Sequence, residues 1–530
     1  MNAPRPQLAP CSPLHRIVSV IFPVLSLLFP LLIASLLASP ALAQQSLGAY
    51  TDGHPLPDSP VGRRARDLFE VLNVAHPPHV RTMMVSAFDP ESWADMTADE
   101  RYAWFMGVRQ RHGVLQIHGA RHFESGVRDN ELVLLLVGRA SEQWLAAHMS
   151  VDPDPPHLIQ SFTLMPARPP EKAVSKLSGM QDVVRELSSY LDRQAEADRF
   201  SGAVLLAKDG DVLLRKAYGQ ASKAYGVANA PDTEFAIASL NKMFTAVAIM
   251  RLVEDGKLSL GESVGKYLDD GWLDPAVAAS ITIEHLLTHT SGLGNYMTDE
   301  WREGSPLRFA RWQDYKPLIA AQKTAFAPGQ GWQYSNAGYF LLGLVIERVS
   351  GRPMRTTCAS TCTRRGMRNT AFHASDDVVP NVATGYIKAP GRQPSGYREN
   401  VLVVGYSGTA AGGGYSTVDD LFAFAKSLRT EKLLPKSRLE SMWTATPASQ
   451  KVLSYGMGFE VRQTPSGRVI GHQGGHHGMS SVLAMHEGHG VTLAVLSNYD
   501  AAAQMVSGQL DALLSRVGTV PAAPAASTAP

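Results

Sequence analysis

The segment FAIASLNKMFTAVAIM, residues 235–250, sets Ser239 three positions before Lys242 inside an apolar, helix-forming run. Residues three apart on a helix share a face, so hydroxyl and amine are expected side by side near the start of a buried helix. An unpaired ammonium is costly to bury, and both desolvation and the positive end of the helix dipole depress its pKa. A desolvated amine beside a hydroxyl can take its proton, which makes a serine nucleophilic without a histidine. At the same helix start, the Ser239 N–H would face a developing oxyanion. The bland alternative is a snorkelling lysine and a capping serine, and this stretch alone leaves both readings open. A second Ser-x-x-Lys shows how little the spacing means by itself. Ser263 and Lys266, in GESVGKYLDD, sit among glycine and charged residues in a hydrated turn.

Two distant segments add to the set. Tyr334-Ser335-Asn336 is the only Tyr-x-Asn in the chain and precedes an apolar helical run. His472-Gln473-Gly474-Gly475 ends a short strand, where glycines let a substrate approach the strand edge closely. In this order the three motifs resemble those of the serine β-lactamase and penicillin-binding peptidase superfamily. The Tyr-x-Asn form resembles the class C branch, which also contains esterases and D-aminopeptidases. TIEHLLTHTSGL (282–293), AAGGGYSTVDDLFAFAKSL (410–428) and YGMGFEV (455–461) carry the likeness further, over about residues 182–517.

The resemblance implies roles residue by residue. Ser239 would be the acylated nucleophile, Lys242 its activator, and Tyr334 an acid/base group that also activates the deacylating water. Asn336 would hold Lys242 and the substrate, and the N–H groups of Ser239 and Gly475, beside Gly474, would form the oxyanion hole. His472 departs from the lysine form of the third motif. A histidine with an ordinary pKa near ~6.5 is mostly neutral at pH 7 and offers a hydrogen bond, not a permanent cation. That favours esters or amides without a carboxylate over β-lactams or D-Ala-D-Ala peptides. The enzymatic alternative is a D-amino-acid peptidase or weak β-lactamase acting on peptidoglycan-like substrates. The non-enzymatic one is a catalytically silent binding protein of the same fold.

Those residues need a scaffold, and the chain spells an α+β multidomain protein. Residues 1–43 pair a basic start with a long apolar run and end in Ala-Leu-Ala, which predicts a secretory signal and an exported, periplasmic or extracellular protein. Uncleaved, the same run is long enough to anchor the chain in a membrane. A leader (44–62) precedes a small α+β unit (63–168) with helical text before four strand-like runs. This unit resembles NTF2-like domains. A linker (169–181) leads to the main unit, 182–517, and a low-complexity tail (518–530) follows. In the main unit the Asp209-Gly210 hairpin opens a sheet that VTLAVLSNYD closes near the other end. The expected architecture is the β-lactamase/DD-peptidase-like fold: a central antiparallel sheet flanked by helices, with a helical lobe inserted.

The remaining features narrow the chemistry. With 49 Lys+Arg against 48 Asp+Glu, the chain gives no support for a nucleic-acid partner, and the expected partner is a small-molecule or peptide substrate. His472, His476 and His477 lack an evident carboxylate partner, so no metal or other cofactor is expected. His285 and His289 read as groups that satisfy the backbone at a helix end. Cys358 and Cys362 are too close together to form a disulfide framework. Around them, TTCASTCTRR lacks the apolar helix face that the resemblance calls for.

Overall fold

The computed structural model describes residues 50–517 apart from 75, 95, 124–127, 171–172, 269–270, 364–365, 390–394, 452 and 465–466. The signal segment and the tail lie outside the described residues.

In the N-terminal unit, strands β1 (Tyr50–His54), β2 (Leu115–Phe123), β3 (Glu131–Gly138), β4 (Trp144–Val151) and β5 (Ile159–Pro166) form an antiparallel sheet in chain order. Helices α1 (Pro60–Val74), α2 (Pro77–Ser86) and α3 (Ala98–His112) cover one face. The ELVLLLVG text of β3 is apolar throughout because both faces are covered. Leu132, Leu134 and Leu136 meet the helices, whereas Val133 and Leu135 join Phe123 and Ala146 behind. Residues 50–54 correct the leader expectation. They are an edge strand, Tyr50 opposite Phe123, whose mostly exposed side chains give no alternation to read. Helix α2 was also hidden, since two prolines open it; Pro fits the first turn, where no N–H is needed.

The main unit begins before residue 182. Leu177 pairs with Val517, and helix α4 spans Met180–Glu196. Its sheet uses β6 (Gly202–Lys208), β7 (Asp211–Tyr218), β8 (Glu460–Thr464), β9 (Gly467–His476), β10 (Met479–His486) and β11 (Val491–Ser497). The order is β8-β9-β10-β11-β6-β7, so the two ends of the unit meet where β11 pairs with β6. Asp209 and Gly210, with φ of +51° and +97°, make the two-residue turn between β6 and β7. Helix α4 packs on one face of this sheet with the C-terminal helix.

The helical lobe covers the other face. It contributes α5 (Asn241–Glu254), α6 (Ile283–Leu287), α7 (Asn336–Ser350), α8 (Met354–Thr363) and α9 (Val418–Arg429); the C-terminal helix is α10 (Ala502–Leu514). Helix α8 forms despite its poor apolar pattern, because Met354 and Cys358, four apart, suffice to seat one stripe in the core. Cys358 is a free thiol.

The N-terminal unit docks through its β3–β4 turn. Gln143 Nε2 donates to Met505 O on α10 (3.1 Å), Glu142 pairs with Arg193 on α4, and Arg199 donates to Ala140 O. Among the described residues no helix is long and apolar enough to cross a membrane.

Candidate active site

The chain reaches Ser239 through a constrained turn. Residues 238–240 form a single 3-10 turn ahead of α5, with Ala238 at φ +47°, a conformation non-glycine residues adopt at a cost. The turn is fastened at Ile237, whose N–H donates to Gly414 O (2.8 Å) and whose carbonyl accepts from Ser481 Oγ on β10 (2.7 Å). Ser239 is half-buried, and no side chain caps α5, so its hydroxyl is free for chemistry.

Lys242 is fully buried, which rules out snorkelling. Its Nζ lies 3.1 Å from Ser239 Oγ, 2.8 Å from Asn336 Oδ1 and 2.6 Å from Ala411 O. Burial drives the amine well below the usual lysine range, with Glu460 pulling the other way. Gly458 permits this packing. At φ +82°, a Cβ there would lie 3.0 Å from Lys242 O and 2.4 Å from Ala246 Cβ. Lys266 is the contrast, an exposed side chain paired with Glu262 at 2.6 Å.

The Tyr-Ser-Asn tripeptide divides its tasks at the start of α7. Ser335 is the cap, its Oγ accepting from Gly338 N (2.8 Å) and donating to Gly294 O (2.9 Å). That fixes Tyr334 and Asn336 on either side. Asn336 turns its oxygen to Lys242 and donates from Nδ2 to Asn295 Oδ1 (3.2 Å). The Tyr334 ring centroid is 4.7 Å from Lys242 Nζ. Burial pushes its phenol well above the ordinary range, opposed by a hydrogen bond with Ser239.

The third wall is the edge of β9. Strand β8 pairs with β9 only from Gly467 to Gly471, so residues 472–476 have no ladder partner on the β8 side. Gly474 lies against the Ser239 turn, and its carbonyl accepts from Gln504 Nε2 on α10 (2.8 Å). A Cβ at Gly474 would sit 2.5 Å from Ser481 Oγ, 2.6 Å from Ile237 O and 2.9 Å from Ser239 N. Gly474→Ala is therefore expected to cut kcat/KM about 100-fold by displacing the Ser239 turn. The same clash should cost about 1–3 kcal/mol, read from steady-state kinetics alongside urea unfolding. Gly475 is exposed, open to a ligand.

His472 corrects the expectation that it offers the substrate a hydrogen bond. It is buried, and its Nδ1 lies 2.6 Å from Gln473 O, an oxygen that can only accept. Nδ1 therefore carries the proton, and Nε2 accepts from Tyr455 O–H (3.0 Å). Both nitrogens are spent inside the protein. Burial first, then Lys242, lowers this imidazole to about 3, so the wall carries no cation.

Glu460 was not singled out in the sequence, although a carboxylate in the apolar YGMGFEV text was a signal. It is buried beside His472 (3.7 Å to Nδ1) and accepts from Gln473 Nε2 (3.3 Å). Burial raises its carboxyl to about 7 against the opposing pull of Arg462, the Gln473 bonds and Lys242. The folded protein thus keeps a proton that the unfolded chain releases above its own carboxyl pKa. This contribution to stability is complete below the unfolded pKa of 4.5 and is lost as pH rises to about 7. Glu460→Gln removes the titration. From about pH 5 to pH 8 the variant should gain on the parent by up to about 3 kcal/mol in urea unfolding. An equal difference at both pH values would contradict this assignment.

The other histidines stand apart. His285 exchanges two capping hydrogen bonds with Thr282 at the start of α6. Among the described residues no group of three or more His, Cys, Asp or Glu is placed to hold a metal ion.

An antiparallel sheet with an inserted helical lobe, and a serine, a buried amine, a phenol and a glycine strand edge at their junction, define a serine hydrolase of the β-lactamase-like fold. The sequence profile of the Beta-lactamase family matches residues 183–515, and the chain belongs to this family. It is 30% identical over 331 residues to Penicillin-binding protein 4* of Bacillus subtilis (strain 168), covering 60% of this chain and 72% of that one. Esterase EstB of Burkholderia gladioli is 34% identical over 205 residues, 36% of this chain and 52% of that one. Among solved structures, the penicillin binding protein from Bacillus halodurans matches with a TM-score of 0.56 at 28% identity, covering 64% of this chain and 99% of that one.

Proposed function

We propose that this protein is an exported serine hydrolase that cleaves an ester or amide through an acyl-enzyme on Ser239. The observation that carries the reading is how Lys242 is held. Asn336 Oδ1 and Ala411 O are both acceptors, so they occupy two N–H bonds of the amine. The third direction points at Ser239 Oγ. In a neutral amine that direction holds the lone pair, which accepts the hydroxyl proton as Oγ attacks the carbonyl carbon.

The tetrahedral oxyanion then faces the N–H groups of Ser239 and Gly475. Its collapse breaks the bond to the leaving group, which takes a proton from the Tyr334 phenol, and Lys242 returns one to Tyr334. With its phenol pushed upward, Tyr334 works as a neutral proton carrier and not as a standing phenolate. Water attacks the acyl-enzyme by the same route in reverse: Tyr334 takes the water proton while passing its own to Lys242, and Lys242 hands it to Ser239 Oγ as the acyl bond breaks.

The neutral His472 wall favours substrates without a carboxylate at that position. A likeness to Penicillin-binding protein 4* supports the second reading, a peptidase or weak β-lactamase on peptidoglycan-like substrates. Export rests on residues 1–43, and a packing role for the N-terminal unit rests on its NTF2-like text and its docking on α4 and α10. A panel of p-nitrophenyl esters, nitrocefin and a D-Ala-D-Ala peptide separates the two enzymatic readings. Turnover of short esters with little of the other two is expected, and the reverse order would replace the first reading with the second.

A further inference from the structure

His289 belongs to the THTSGL text, has no role in the proton path above, and is fully buried. Its placement is unusual in two respects. The residue adopts φ +62°, and it is bonded to the residues on both sides of Tyr334. The Gln333 N–H donates to His289 O (3.0 Å), and the Ser335 N–H donates to His289 Nδ1 (3.0 Å). A backbone N–H can only donate, so Nδ1 is bare and the ring is neutral with its proton on Nε2. Burial, with Lys242 and His472 nearby, favours that same state. The ring also lies against Tyr334, with centroids 4.3 Å apart and planes tilted by 39°. Tyr455 and Tyr339 close in at 4.6 and 5.0 Å.

We infer that His289 is a positioning residue: its two acceptors clamp the backbone before and after Tyr334 and aim the phenol at Ser239. The inference rests on Tyr334 being the proton carrier of the reaction. A side chain must offer three things here: an acceptor one bond beyond Cγ, tolerance of a left-handed backbone, and a flat surface for the phenol. Asparagine supplies the first two, since its Oδ1 falls where Nδ1 lies and it enters the left-handed region readily. Phenylalanine supplies only the third. The pair therefore separates the clamp from the packing.

The test uses the full chain with p-nitrophenyl butyrate as substrate and a fluorophosphonate as the Ser239 probe. His289→Phe is expected to lower kcat and the labelling rate about 10- to 100-fold with KM within about twofold, the loss expected for one buried hydrogen bond to a catalytic element. His289→Asn should stay within about threefold of the parent. In a Tyr334→Phe background, His289→Phe should add less than about threefold, because a clamp acts only through what it holds. Where His289→Phe loses the parent's unfolding transition, His289→Gly is read in its place, since it accepts the backbone angle and has no side-chain acceptor. Full activity in the variant without a side-chain acceptor, equal losses in it and His289→Asn, or an undiminished loss on top of Tyr334→Phe would overturn the clamp. A parent protein that neither hydrolyses the ester nor takes the probe would overturn the reading of Tyr334 instead.

Discussion

Alanine at position 239 is expected to lower kcat for ester hydrolysis by about 10⁴-fold or more while leaving the fold intact. The size follows from what is lost. Without Oγ there is no covalent path, and only the strand edge and the N–H groups remain to hold a substrate against water attack. The intact fold follows from what is kept. Ser239 is half-buried and caps nothing, and its turn is fastened by Ile237 on one side and α5 on the other. A stability change within about 1 kcal/mol is expected. Single-turnover kinetics and thermal unfolding on the same preparation check both halves. Retention of more than about 1% of the activity would remove Ser239 from the chemistry.

The second large effect belongs to Lys242→Met. Methionine keeps the apolar stem of lysine and deletes the amine, so the stem stays seated in the core and the contact given up over the Tyr339 ring is the amine's own. A loss of about 10³- to 10⁵-fold in kcat is expected, because Ser239 then has no group to receive its proton. Stability should move far less than activity. Two carbonyl acceptors, Asn336 Oδ1 and Ala411 O, are orphaned, but a buried amine of depressed pKa no longer has to be desolvated. The pH profile supplies an independent signature. The proposed mechanism requires the neutral amine in the parent, so kcat/KM should fall as pH drops through the Lys242 pKa, which burial places well below 10.5. The residual activity of Lys242→Met should lack that limb. The same limb in both proteins would assign it to another group.

The chain was most legible where chemistry and periodicity coincided. Ser239 and Lys242 could be read together because a lysine in MFTAVAIM text is anomalous unless it has partners. The Asp209-Gly210 turn and the VTLAVLS strand were legible because turn chemistry and β-branched runs act locally. What stayed hidden was held by distant or unpatterned contacts. Strand β1 is stabilised by backbone pairing to β2 and shows no alternation. The acceptor at Ala411 O is a backbone atom with no side-chain mark. His472 was expected to face the substrate because it stands in the third motif of the resemblance. Only the approach of Tyr455 and the curl of Nδ1 to Gln473 O reveal that its nitrogens are occupied. Glu460 carried a signal as a carboxylate in apolar text, but its meaning depends on burial against His472 and not on its neighbours in the chain.

The most direct measurement is the intact mass of the protein after reaction with a fluorophosphonate, followed by peptide mapping of the adduct. One adduct per chain is expected, carried by Ser239, formed with the same acid limb as ester hydrolysis and absent from Ser239→Ala. An adduct on another serine, or none on a folded protein, would contradict it.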